Sequence, residues 1–126
     1  MKRLIVFPFA LLLGLSFQVS ALCLYVSESY SGIIEGKTEL TAHGPFTITP
    51  VNGCSGASID ANVSSGGAGS APRISIEREL GGGWQSVATS IGSSVSHVGG
   101  FGTYRVRLDN PDAISKSYSG SVRYGR

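Results

Sequence analysis

Short runs of alternating apolar and polar residues, separated by glycine-rich turns, are the feature that most limits the folds open to this chain. The run "RISIEREL" at 73–80 sets Ile74 and Ile76 against polar neighbours, and "GTYRVRLD" at 102–109 alternates in the same way. Successive side chains of a strand point to opposite faces, so this period of two predicts strands with one buried and one wet face. No segment shows a sustained helical period.

The same pattern recurs along the chain. Predicted strands lie in "CLYVSES" (23–29), "SGIIEG" (31–36), "PFTITPV" (45–51), "ASIDANVS" (57–64), "RISIEREL", "WQSVATSI" (84–91), "GTYRVRLD" and "SYSGSVRYG" (117–125). About eight short strands with frequent glycine turns predict an all-β fold, namely an antiparallel β-sandwich of jelly-roll-like form, with a small barrel as the alternative. The dipeptide Asn52-Gly53 predicts a hairpin turn.

The first residues have the pattern of a secretory signal peptide. Lys2 and Arg3 precede an apolar stretch that ends at small residues near Ala21. The stretch is shorter than the roughly 20 apolar residues that span a bilayer. We therefore expect a cleaved signal at 1–21, a single domain at 22–126, and no stable membrane anchor after cleavage.

Charge argues against a nucleic-acid partner. Removal of the predicted signal takes away two of the ten basic residues, and the eight that remain face eight acidic ones. A neutral chain has little electrostatic attraction for nucleic acid or an anionic membrane. The basic character of the precursor thus belongs to its targeting segment.

The two cysteines predict one disulfide. Cys23 and Cys54 would both lie in an exported chain, where oxidation is permitted. A bridge between them closes a loop of about 30 residues and stabilises a small domain by on the order of 3 kcal/mol. Cys54 is then no thiol nucleophile, and Ser55 is the remaining candidate in the turn.

The sequence motifs give little support to a catalytic function. "GCSGA" around Ser55 lacks the final glycine of the Gly-x-Ser-x-Gly motif and the strand-to-helix context that the motif requires. Glu77 and Glu79 share one strand face, as a glycosidase pair would. We expect them instead to pair with arginines of neighbouring strands in a solvated charge ladder, formed with Arg73, Arg105, Arg107 and Arg123.

No cofactor or metal is predicted. The glycine loops lack the lysine of a phosphate-binding loop, and the two histidines are far apart in the sequence. Calcium binding remains an alternative near Asp109, Asn110 and Asp112, whose oxygens are suitable ligands. The same residues form a common turn sequence, "DNPD", and we expect them to serve the turn.

Two aromatic residues are candidate ligand contacts. Trp84 follows a triple-glycine turn, and Phe101 lies in "VGGFGTY". Exposed aromatic rings at loop tips bind sugar rings or protein grooves, whereas a core position is the alternative for both residues.

The order of "YSGIIEG", "RISIEREL", "GGFGTYRVRLDNP" and "YSGSVRY" resembles the small secreted bacterial β-sandwiches of the pre-peptidase C-terminal type. The resemblance implies a β-sandwich with an accessory, noncatalytic role. The acidic first-half signature of that family is absent here, so its calcium binding is not carried over. Fimbrial subunits also pair early cysteines, but the cysteine here follows the predicted cleavage site too closely to leave a donor extension.

These observations predict an exported, noncatalytic binding protein of the bacterial periplasm or beyond. We expect a protein partner, such as the target of a periplasmic inhibitor or immunity protein, and this choice rests on analogy of fold. A carbohydrate-binding accessory module with a polysaccharide ligand is the close alternative, with Trp84 and Phe101 as its contacts. A small hydrolase and a fimbrial or surface subunit are the remaining alternatives.

Overall fold

The computed structural model describes residues 23–66, 71–90 and 93–126, and every structural statement below concerns these ranges. The predicted signal peptide at 1–21 lies outside them. Eight strands are present: β1 (Tyr25–Ile34), β2 (Glu39–Ile48), β3 (Ala57–Ser65), β4 (Arg73–Leu80), β5 (Gly83–Ser90), β6 (Ser94–Gly99), β7 (Gly102–Asp109) and β8 (Lys116–Gly125). Within the described ranges, no helix is both long and apolar enough to cross a membrane.

The strands form two four-stranded antiparallel sheets. Sheet A has the order β1-β8-β3-β6, and sheet B has the order β2-β7-β4-β5. Every connection except the β4–β5 hairpin leads from one sheet to the other. Eight strands shared in this way between two sheets form a jelly roll, which confirms the predicted fold class.

The inner faces of the two sheets make one core, as the alternation predicts. β3 contributes Ile59, Ala61 and Val63, and every second residue from Tyr104 to Leu108 of β7 faces them. The remaining fully buried aliphatic residues include Ile34, Ile48, Ile74, Ile76 and Val122. Full burial of a Val, Leu or Ile side chain stabilises a fold by about 1.5–3 kcal/mol, so these residues hold the sheets together.

The two strands predicted at 23–29 and 31–36 are a single strand, β1. β1 runs without interruption, and all of its ten residues are in register with β8. Gly32 does not end the strand, since it is paired with Tyr118 of β8. A side chain at position 32 would meet the ring and hydroxyl of that tyrosine. The glycine therefore makes room for a cross-strand neighbour and is not part of a turn.

The hairpin predicted at Asn52-Gly53 is wrong. Pro50–Asn52 form a short 3-10 helix, which ends at Gly53 in the left-handed region (φ 86°) with its N–H donating to the Pro50 carbonyl. β2 pairs with β7 and β3 with β8 and β6, so this connection joins two sheets and not two paired strands. A left-handed glycine terminates a helix as readily as it fits a hairpin turn.

Candidate functional site

The outer face of sheet A carries mainly serine side chains, with Asp60 and Arg123 as charged residues and Ile33 and Val98 as exposed apolar residues. In β1 and β8 the odd-numbered residues point outward, and in β3 and β6 the even-numbered residues do so, since their neighbours enter the core. We call this surface the serine face. Its small polar and charged residues are Ser27, Ser29, Ser31, Ser58, Asp60, Asn62, Ser64, Ser94, Ser96, Ser117, Ser119, Ser121 and Arg123.

Strand register arranges the serine face in rows across the sheet. Ser29, Ser121 and Asn62 are opposite one another, and Ser31, Ser119 and Ser64 form the next row. The Asn62 amide donates to Ser121 Oγ at 2.9 Å, and the hydroxyls of Ser64 and Ser119 are 3.2 Å apart. Because serine side chains are short, these rows form the lining of a shallow depression of about 530 Å3.

Tyr30 supports the floor of this depression from the core side. Its hydroxyl donates to the Asn62 carbonyl at 2.6 Å and lies 3.1 Å from the Ser121 carbonyl. A side chain on Gly120 would collide with that Asn62 carbonyl and with the Tyr30 ring, so the phenol can reach this position only beneath a glycine. Burial raises the pKa of Tyr30 to about 12, so its hydroxyl stays protonated even at alkaline pH.

An aromatic residue lies at one end of the serine face. The Tyr25 ring is 47% exposed and carries the Arg123 guanidinium 4.2 Å from its centre. Arg123 is opposite Asp60, whose carboxylate accepts a 2.6 Å hydrogen bond from Ser96. A second depression of about 330 Å3 adjoins this end, and its lining includes Tyr25, Ser55, Ser58 and Val98.

The Cys23–Cys54 disulfide is present, as predicted, and its Cys23 is part of the lining of the second depression. Ser55 is exposed beside it. Among the described residues, neither histidine contacts Ser55: His43 Nε2 lies 3.3 Å from the Tyr124 hydroxyl, and the His97 ring packs against Tyr104. In the part of the chain that the structure describes, Ser55 therefore has no histidine placed as its general base.

The outer face of sheet B has the opposite chemistry, since most of its charges form ion pairs; the predicted pairing of Glu79 with an arginine is not found among the described residues. Arg105 contacts the Glu77 carboxylate at 2.7 Å, and Arg107 lies between Glu77 at 4.0 Å and Glu39 at 3.3 Å. The predicted charge ladder is thus confirmed for Glu77. The prediction is wrong for two of the arginines, because Arg73 pairs with Asp109 and Arg123 belongs to sheet A.

Trp84 and Phe101 lie on different sides of sheet B. Trp84 is opposite Glu79 on the outer side, with the Arg105 guanidinium 4.1 Å above its ring. Phe101 is half-buried and packs against the core, and its carbonyl accepts a 2.6 Å hydrogen bond from Arg78. The fold does not join the two rings into one flat platform.

The polar groups of "DNPD" serve the turn. The Asn110 side chain is fully buried, and its amide donates to the carbonyls of Ile34, Glu35 and Ile114 at 3.4, 3.1 and 2.8 Å. Its oxygen accepts from the Asp112 N–H at 3.1 Å. Asp112 is ion-paired with Lys116 at 2.5 Å and Asp109 with Arg73 at 3.7 Å. Within the described ranges, no three residues among His, Cys, Asp and Glu are grouped as metal ligands.

Fold and surface together define a small, disulfide-bonded jelly roll with one outer face of arginine–carboxylate pairs and one outer face of mainly serine side chains. No protein-family model and no curated protein sequence matches the chain. Among solved structures, the fold is similar to that of the Yersinia pseudotuberculosis-derived mitogen (YPM), with a TM-score of 0.59 and 20% identity over 79% of this chain and 86% of that one. Disulfide-linked pili of Bacillus endospore appendages match at a TM-score of 0.35 and 18% identity, over 85% and 93% of the two chains. The likeness to the mitogen shows a shared fold and nothing about activity.

Proposed function

We propose that this protein is an exported, noncatalytic carbohydrate-binding protein and that the serine face is its recognition surface. One observation carries the proposal: a shallow depression on the sheet surface that is lined by five serines and Asn62, with Tyr30 and Gly120 beneath them. Its volume of about 530 Å3 falls within the range of small-molecule sites.

Hydroxyl rows suit a neutral polyol. Each serine hydroxyl both donates and accepts, as each sugar hydroxyl does, so the two surfaces can exchange hydrogen bonds in either direction. The cores of protein interfaces are depleted in serine and enriched in aromatic residues and arginine. The composition of the serine face therefore favours a glycan over the protein partner that fold analogy suggested.

Tyr25 supplies the aromatic contact that Trp84 and Phe101 were expected to make. Its ring is exposed at the end of the serine face, and the stacked Arg123 fixes it from one side. An amphipathic ring held in this way offers an apolar surface to a sugar at low cost in side-chain entropy.

Two features support export and a noncatalytic role. The disulfide belongs to an oxidising compartment, as does the predicted signal peptide. The residues considered for hydrolysis also lack the arrangement that catalysis needs. Glu77 is paired with two arginines, and Ser55 has no histidine beside it.

The test is binding of the full mature chain to an immobilised panel of neutral oligosaccharides built from glucose, galactose, mannose and N-acetylglucosamine. The variant combines Asn62→Ala, Ser119→Ala and Ser121→Ala. Loss of three hydrogen-bonding groups at about 0.5–1.5 kcal/mol each should weaken binding by about tenfold or more. The control combines Ser86→Ala and Thr89→Ala, a hydroxyl pair 2.8 Å apart on β5, and should bind as the parent does.

Absence of binding to every glycan of the panel would contradict the proposal, as would equal loss in both variants. Capture of a protein from the envelope of the host, blocked by the serine-face variant alone, would move the function to protein recognition by the same surface.

A further inference from the structure

The outer edge of β1 is the least protected strand edge among the described residues. β1 is ten residues long, pairs only with β8, and keeps one unbroken register along its length. It contains no proline, and Glu28 is its one charged residue. A long, flat edge with unpaired N–H and C=O groups is a template for a further strand.

The other three edges each carry a protective feature. β2 contains Pro45 and two register shifts, between Thr41 and His43 and between His43 and Phe46. β5 pairs with β4 through a register shift at Ile76 and Glu77. β6 has only six residues. Bulges, prolines and short strands are among the means by which proteins discourage edge pairing, and β1 has none of these three; its one charge is Glu28.

We infer that β1 pairs antiparallel with β1 of a second copy of this chain, centred on Ser29, so that two A sheets join into one. Opposite residues of an antiparallel pair lie on the same face of the sheet. An outward residue of one β1 must therefore lie opposite an outward residue of the other. This condition is met only when the two-fold axis passes through a residue, and not when it passes between two residues. A centre at Glu28 would place two carboxylates directly opposite each other, a destabilising arrangement.

The Ser29-centred register uses the strand almost completely. It pairs every residue from Tyr25 to Ile33 and places small hydroxyls opposite each other, Ser27 against the partner's Ser31. Its ends bring Tyr25 against Ile33 of the partner subunit. These two side chains are 47% and 70% exposed in the single chain, and an aromatic ring against a β-branched side chain is a favourable cross-strand pair.

The self-complementarity points to a second copy and not to an unrelated strand. A two-fold axis through Ser29 presents the same patch on both sides, as closed dimers require. Each copy would then have its depression of about 530 Å3 beside the axis, because Ser29 and Ser31 are part of the lining of that depression. Two binding sites on one continuous face would raise avidity for a polymeric glycan, a consequence that rests on the function proposed above, whereas the dimer does not.

Sedimentation velocity of the mature protein, from micromolar to sub-millimolar concentration, tests the inference. The parent should show a monomer–dimer equilibrium, and Ser29→Lys and Ser29→Glu should each be monomeric, because like charges would face each other across the axis. An equal mixture of the two variants should restore the dimer as a Lys–Glu heterodimer. The control, Ser86→Lys on the exposed face of β5, should dimerise as the parent does.

A parent that stays monomeric at the highest concentration would overturn the inference. Dimers of Ser29→Lys by itself would also overturn it, because the pairing would then lie elsewhere. Glycan binding by a monomeric parent would leave the proposed function standing and remove only the dimer, so the two failures are distinguishable.

Discussion

Replacement of Asn110 by aspartate should destabilise the domain severely while changing almost no volume. The amide that is lost donates to three carbonyl oxygens at 2.8–3.4 Å, and the side chain is fully buried. Asn110→Asp places a carboxylate oxygen where a donor stood, so donors are lost and acceptors repel one another. The amide has two N–H donors to lose, and at about 1–2 kcal/mol for each carbonyl left without a donor we expect a total loss of about 2–4 kcal/mol at neutral pH.

The effect should depend on pH in a defined direction. Burial among carbonyl oxygens would raise the pKa of an aspartate at position 110 above its ordinary value of about 3.9. A raised folded-state pKa means that the protonated form is favoured in the folded chain. The deficit relative to the parent is then full above the folded-state pKa, and it shrinks as pH falls through that value towards the unfolded one.

Thermal unfolding followed by circular dichroism, at neutral and at acid pH, measures both effects. A loss of about 2–4 kcal/mol corresponds to a fall in melting temperature of about 10–30 °C for a domain of this size. Asn52→Asp is the matched control, because that amide donates to the Arg126 carbonyl at the surface. Equal melting temperatures for the two variants would refute the reasoning.

Three further predictions concern stability and redox state. Tyr30→Phe should cost about 1–2 kcal/mol in urea unfolding, because the Asn62 carbonyl loses its 2.6 Å donor, and an unchanged midpoint would refute this. Burial and the nearby Arg78 lower the pKa of His97, so stability should fall as pH drops from about 7 to about 5. His97→Gln should flatten that slope, and parallel profiles would contradict the assignment. A thiol titration of the unfolded, unreduced protein should find no free thiol, and reduction of the Cys23–Cys54 bond should cost about 3–4 kcal/mol for its 31-residue separation.

The alternation of the sequence was enough to predict the sandwich and most of its core. Ile74 and Ile76 of β4 are fully buried, as their period of two required. β6 was not predicted, because its alternation is short and only Val95 is a buried apolar residue. The proposed binding residues could not be predicted from the local pattern either, since an isolated serine in a strand predicts only exposure.

The sequence by itself determined which side of each strand meets the core and that the cysteines would pair, because both depend on local period and on the number of cysteines. Only the tertiary structure decided which outer faces come together. The serine rows combine β1, β8 and β3, whose residues are up to 92 positions apart in the chain (Ser29 and Ser121), and strand order alone brings them into line. The same order makes β1 an edge strand, because edge positions are set by long-range pairing, which has no local signal.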